Sequence, residues 1–291
     1  MSIIDLLNSS RTAIFLDGAM GTQLGQMGLE MGGQNTITNP DAVLTVHKRY
    51  VAAGVDLLIT NTLTMNRTNI ESHNVAVDVR EVNLAGVRLA KEAAAGACYV
   101  LGDMGSTGKM LKPYGTLPEE DALAAFKEQA AILAEGGVDG IIVETMFDLR
   151  EAVCAVRAIR EACDLPVIAS IAFNTSDNQG RTVMGDTAKR CAEGLTEAGA
   201  TVVGANCGGV DPLEMAQLVA MMREATDLPI IAQANAGKGR MVDGDLVFDL
   251  APADFANGMQ ECLRAGARLI GGCCGTSPAH IQAAVELIGR D

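Results

Sequence analysis

The chain has no tryptophan and, in 291 residues, only three tyrosines, six phenylalanines and three histidines. That leaves little material for an aromatic cage of the kind that holds a quaternary ammonium group. Basic runs are missing too. The 22 Lys and Arg are outnumbered by 36 Asp and Glu, giving a net charge of −14, and no cluster of them offers a phosphate-binding face for nucleic acid. No apolar stretch approaches the ~18–20 residues needed to cross a bilayer; the longest is LPVIASIAF at 165–173. The opening MSIIDLLNSSR is polar where an export signal would be apolar, so the eight cysteines are expected to be reduced thiols in a cytoplasmic protein rather than disulfides.

What the chain does have is repetition of short apolar, β-branched runs. AIFL (13–16), DLLIT (56–60), CYVLG (98–102), GIIVE (140–144), PVIASIAF (166–173), TVVGAN (201–206), PIIAQAN (229–235) and RLIGG (268–272) read as strands. Between them lie segments of helical spacing such as 118–137, acidic at its start and ending in glycines, together with 211–225 and 278–289. Eight strand–helix alternations predict an α/β fold, a (β/α)8 TIM barrel occupying residues 1–291 as one domain. Residues 2–10 are expected to form a short helix capping the barrel bottom.

In such a barrel the site lies at the carboxyl ends of the strands. The residues expected there are strongly polar: Asp17; Thr60, Asn61 and Thr62; Asp103; Glu144 and Thr145; Asn174; Asn206 and Cys207; Asn235; and Cys273 with Cys274. Cys207 follows the sixth strand and the Cys273–Cys274 pair the eighth, near neighbours in a closed barrel. Three thiolates with an open fourth position describe a catalytic zinc site. Adjacent strand residues point to opposite faces, so the pair can share one ion only if the strand has already turned, for which Gly271, Gly272 and Gly275 supply the backbone freedom. A coordinated thiol loses its proton and becomes a nucleophile at neutral pH, which points to thiol alkylation.

The turn DGAMG after the first strand, with Gly18 and Gly21, can aim backbone amides at a carboxylate; a plainer reading is a tight turn with a satisfied Asp17. Glu144 can pair with an ammonium group or simply cap a helix. Cys98, Cys154, Cys163, Cys191 and Cys262 read as small buried hydrophobes, the fourteen methionines as core filling, and His47, His73 and His280 as lying away from the metal. The glycine-rich stretch 102–115 is either a cover for the mouth or a surface loop.

The set LDGAMGT (16–22), TNT (60–62), GDMGSTG (102–108), ETMFD (144–148), GANCG (204–208) and GGCCGTSPAHI (271–281) resembles the zinc-dependent homocysteine S-methyltransferases, and within them the homocysteine-binding barrel of cobalamin-dependent methionine synthase. The resemblance runs from Phe15 to Ile281. It implies Zn2+ on Cys207, Cys273 and Cys274 with the homocysteine thiolate in the open position. It further implies Glu144 at the amino group, assisted by Asp17, and the backbone amides around Gly18, Ala19 and Met20 at the carboxylate.

Two positions depart from the family pattern: Leu63 stands where an aromatic residue is usual, and Ser106 where proline is. The donor is expected to be methylcobalamin on a separate corrinoid protein, because no cobalamin or folate segment is evident in the sequence. Betaine or S-methylmethionine is the competing donor, although only Tyr114 and Phe147 are expected near the mouth to hold an onium group. The same residues are also compatible with a related zinc methyltransferase acting between a corrinoid protein and another thiol or methylated compound. A phosphate-binding barrel would use the glycines at 271–272, but two cysteines stand where amides and hydroxyls are wanted. A non-catalytic zinc subunit that docks on a corrinoid protein would have no need of the intact set Cys207, Cys273, Cys274 and Glu144.

Overall fold

The computed structural model describes residues 2–242 and 245–290. Its strands run, in chain order, β1 (Ile14–Phe15), β2 (Leu57–Ile59), β3 (Tyr99–Met104), β4 (Gly140–Met146), β5 (Val167–Ile171), β6 (Val202–Asn206) and β7 (Ile230–Ala234). After a small antiparallel hairpin of β8 (Arg240–Val242) and β9 (Asp245–Val247), β10 (Ala267–Gly272) completes the set. The eight expected strands are all present and pair in parallel in the order β1-β10-β7-β6-β5-β4-β3-β2. Leu16 bridges Leu57, and the Asp56 amide donates to Phe15 O at 2.8 Å, so β1 lies beside both β10 and β2 and the ring closes. The described residues thus fold as one (β/α)8 barrel. The hairpin is an addition that the strand pattern does not predict.

The barrel works as a scaffold because alternate strand residues point inward. Ile14, Leu57, Leu101, Ile142, Ile168, Val202, Ile231 and Leu269 supply one inward residue per strand and form a buried apolar layer. The helix Ile3–Leu7, opened by a Ser2–Asp5 capping box, inserts Ile3, Leu6 and Leu7 beneath that layer, as expected for residues 2–10. Polar ties hold this floor in place. Asp56 accepts from the Phe15 amide at 3.0 Å and pairs with Arg11 at 2.6 Å, and Arg268 donates to Ser9 O at 2.6 Å.

Two residues further along the same inward faces stand Asp103, Glu144, Ser170 and Gln233. The alternation that builds the apolar plug therefore sets a polar layer directly above it, facing the mouth. Strand residues of the opposite parity, such as Val143, Val203 and Ile270, pack outward against the helices and make up the main core.

Replacing Leu6 by alanine should open a void beneath the plug and cost about 2–4 kcal/mol, read as a lower urea midpoint at unchanged slope. A cost below about 0.5 kcal/mol, typical of surface substitutions, would show that this helix does not seal the barrel.

Candidate functional site

The polar layer opens into a cavity of about 280 Å3 lined by residues from seven strand ends, among them Asp17, Ile59, Asp103, Glu144, Cys207, Gln233, Cys273 and Cys274. Gly18, Ala19 and Met20 line the same cavity. The three sulfurs all lie within 4.8 Å of one another, with Cys207 Sγ 3.7 Å from Cys274 Sγ. Among the described residues this is the one cluster of three potential ligands from His, Cys, Asp and Glu.

Local backbone conformation brings the sulfurs together. Cys207 and Gly208 both adopt left-handed backbone, at φ 55° and 75°, just past the end of β6. A Cβ on Gly208 would meet Phe173 O at 2.1 Å, so only glycine fits where the chain folds back. On the other side β10 stops at Gly272, and residues 273–276 form a turn closed by Thr276 N donating to Cys273 O at 3.1 Å. Its third residue, Gly275, sits at φ 78°. The strand has therefore turned before the pair, as the shared ligation requires, but the glycines divide the work unequally. Gly275 supplies the left-handed backbone, whereas Gly272 supplies clearance, since a Cβ there would lie 2.5 Å from Thr276 Oγ1.

Left to themselves, the three thiols share negative charge through hydrogen bonds. Cys274 is drawn down to about 4 by bonds from Cys207 and Cys273. Bonding with Cys207 and Cys274 raises Cys273. Cys207 is lowered by its bond with Cys273 but raised by Cys274 and by burial, and ends at about 12. A divalent cation among these sulfurs would displace the remaining protons, and three soft thiolates at this spacing suit zinc. The residues present fit that ion.

Beside the sulfurs stand three buried carboxyls. Burial raises Asp17 well above the usual carboxylate range, opposed by the Ile59 amide and reinforced by the nearby Glu144 charge. Asp103 is raised for the same first reason, with Glu144 and Asp17 adding to it. Burial lifts Glu144 to about 7 despite the hydrogen bond it accepts from Gln233 Nε2 at 2.9 Å. One oxygen each of Asp17, Asp103 and Gln233 is buried without a protein donor, and no lysine or arginine lines the cavity among the described residues. Such a site carries acceptors in search of a cation with several N–H donors.

Asn206 joins the two halves. It donates to Thr145 Oγ1 at 2.8 Å and toward Cys273 Sγ at 3.8 Å, while its oxygen accepts from the Thr145 amide at 2.8 Å and Ser170 Oγ at 2.7 Å. These bonds hold Thr145 at φ 57°, unusual for a β-branched residue, within an irregularity of the β4 ladder. They also fix the backbone just after Glu144, whose side chain is itself held by Gln233 Nε2.

The other site residues read from sequence fall as follows. The Ala19 amide is already engaged, donating to Thr276 Oγ1 at 3.0 Å. Gln233 escapes a reading confined to strand ends; its parity with Ile231 is the signal that marks it. Leu63 lines the cavity, whereas Ser106 lies in a loop held by Glu151, which accepts from Thr107 N at 2.8 Å. Of the stretch 102–115, residues 102–104 end β3 and only Asp103 reaches the cavity lining, so the loop that follows does not line or cover the cavity. Tyr114 and Phe147 are exposed and neither lines the cavity, because Tyr114 lies under Arg150 outside it. Cys154, Cys191 and Cys262 are buried, and Cys98 and Cys163 are partly buried against the main core. His47 is buried in the helix Pro40–Ala52, His73 ends the helix Arg67–Ser72, and His280 bonds Ser277 Oγ and Leu250 O.

The profile of the homocysteine S-methyltransferase family matches residues 14–288. The chain belongs to that family. It is 30% identical over 98% of its length to the methionine synthase of Mycobacterium leprae and 31% identical over 99% to that of Mycobacterium tuberculosis. It spans about a quarter of the length of each, 25% and 26% respectively. The crystal structure of the homocysteine methyltransferase MmuM from Escherichia coli, metallated form, superposes with a TM-score of 0.80 at 20% identity, covering 97% of this chain and 98% of that one. Its oxidized form gives 0.79 at 20% identity, covering 99% of this chain and 100% of that one.

The raised carboxyls have a consequence for stability. A group whose folded value exceeds its unfolded one binds more protons when folded, so its contribution is present at low pH and lost as pH rises. For Glu144 that window runs from its ordinary 4.5 to about 7. The melting temperature of wild type minus that of Glu144→Gln, both ligand-free, should therefore fall as pH is raised across this window. A difference that stays flat would show that Glu144 is not buried against ionisation.

Proposed function

We propose that this protein transfers a methyl group to the thiol of L-homocysteine, giving methionine, with zinc on Cys207, Cys273 and Cys274. The observation that carries this reading is the meeting, in one cavity, of three convergent sulfurs and three cation-free carboxyls. The two features share a space of about 280 Å3, the scale of a small amino acid. A short aminothiol acid presents the matching groups, a soft sulfur at one end and an ammonium at the other.

Zinc bound there would supply a Lewis acid that lowers the pKa of the substrate thiol, so that a thiolate exists at neutral pH. The chain's own residues do the rest. Glu144 accepts from the ammonium, whose single positive charge favours its ionisation, with Asp17 and Asp103 as further acceptors in the same cavity. Gln233 holds Glu144 in position. With the Ala19 amide taken by Thr276, the carboxylate is received by the amides of Gly18 and Met20 beside it. Ile59 and Leu63 give the methylene chain an apolar wall. Asn206 steadies Cys273 and Thr145 together. Held in line with the donor, the sulfur forms the new C–S bond while the donor keeps the electron pair of the bond it loses.

The donor we favour is a methylcorrinoid carried by a partner protein, in keeping with the methionine synthases among its relatives. Betaine and other onium donors fit less well, since no aromatic ring lines the cavity among the described residues. The convergent free thiols need a reducing compartment, so we infer a cytoplasmic enzyme. No described helix is long and apolar enough to cross a membrane.

Calorimetric titration of L-homocysteine into zinc-loaded protein should give one site per chain with proton release. Cys273→Ser should lower zinc content and turnover together, whereas Glu144→Gln and Asp103→Asn should each weaken homocysteine binding about tenfold or more at unchanged zinc content. No binding of homocysteine to zinc-replete wild type would rule out this acceptor and favour transfer to another thiol.

A further inference from the structure

We propose that Thr276 is a positioning residue that couples cation occupancy at the three sulfurs to amino acid binding at the Gly18–Met20 turn, an inference that rests on the function proposed above. The side chain sits between the two half-sites. Its hydroxyl donates its one proton to Cys273 O at 2.7 Å and accepts from the Ala19 amide at 3.0 Å. Tyr50, fully buried, donates its hydroxyl to Ala19 O at 2.8 Å from the other side. A hydrogen-bonded line therefore runs from Tyr50 through both faces of the Ala19 peptide to Thr276 and on to the backbone of a metal-ligating cysteine.

The fit leaves little slack. A Cβ on Gly18 would meet Thr276 Oγ1 at 2.5 Å and Tyr50 Oη at 3.0 Å, and one on Gly272 would meet Thr276 Oγ1 at 2.5 Å. Two further bonds tie the same turns: Gly272 N donates to Asp17 O at 2.9 Å and Gly275 N to Thr22 Oγ1 at 3.3 Å. Thr276 itself is fully buried, so no water competes for its hydroxyl. Fixing the Cys273–Cys274 turn by a cation thereby fixes Ala19 and the amides flanking it, and the reverse holds by thermodynamic linkage.

Homocysteine itself cannot test this, because its thiol would couple the two sites directly. L-norvaline, which replaces the thiol by a methyl group, keeps the ammonium and carboxylate and leaves the sulfurs alone. Its affinity for wild type should rise about fivefold when zinc is loaded. Thr276→Val should abolish that dependence while retaining one zinc per chain, and Thr276→Ser, which keeps the hydroxyl, should restore it. Equal norvaline affinity with and without zinc in wild type would overturn the inference whatever the variants do, as would full coupling in Thr276→Val. If homocysteine binds the zinc-loaded protein while norvaline is indifferent to zinc, this inference alone falls. If homocysteine itself fails to bind, the proposed function falls first.

Discussion

Everything at the mouth of this barrel hangs on β7. The Cys207 amide donates to Gln233 O at 3.1 Å and the Cys273 amide to Ala234 O at 2.8 Å, so two cysteines far apart in sequence are suspended from consecutive carbonyls of the strand between them. The Gln233 side chain, on the inward face of the same strand, reaches Glu144. One strand thus sets the spacing of the sulfurs and the position of the principal carboxylate. Because β7 is gripped on both edges, by β6 and β10, its register admits little adjustment. A site built on such a frame is preorganised by ladder hydrogen bonds rather than by the ligand.

Around this frame the electrostatics are asymmetric. The sulfurs hold negative charge through mutual hydrogen bonding, and burial raises Asp17, Asp103 and Glu144, with no lysine or arginine in the cavity lining among the described residues. Positive charge beside these groups would oppose that rise and favour their ionised forms. The lining therefore favours a ligand that carries positive charge. A neutral thiol of the same length would leave buried acceptors unpaired, and such groups are costly.

Much of the architecture was legible in the sequence because the strand runs are short, β-branched and evenly spaced, and because a parallel barrel places every strand end at one mouth. Cys207, Cys273, Cys274, Asp17 and Glu144 could be located by that rule alone. Gln233 could not, since it lies inside a strand and only its parity with Ile231 marks it as inward. Left-handed Thr145 and Cys207 were equally hidden, because neither residue type announces positive φ; Asn206, Gly208 and the β7 carbonyls impose it. The loop at 105–115 has the glycines of a lid, but where it lies depends on Glu151 and Arg150, which belong to the helix Leu149–Ala162 beyond β4.

The helix Ile3–Leu7 fills the bottom of the barrel with Ile3, Leu6 and Leu7, and this closes one of the two ends through which a small molecule could travel. Traffic is thereby reduced to a single doorway. On the proposed reaction acceptor and donor would therefore both have to reach the cavity from the mouth.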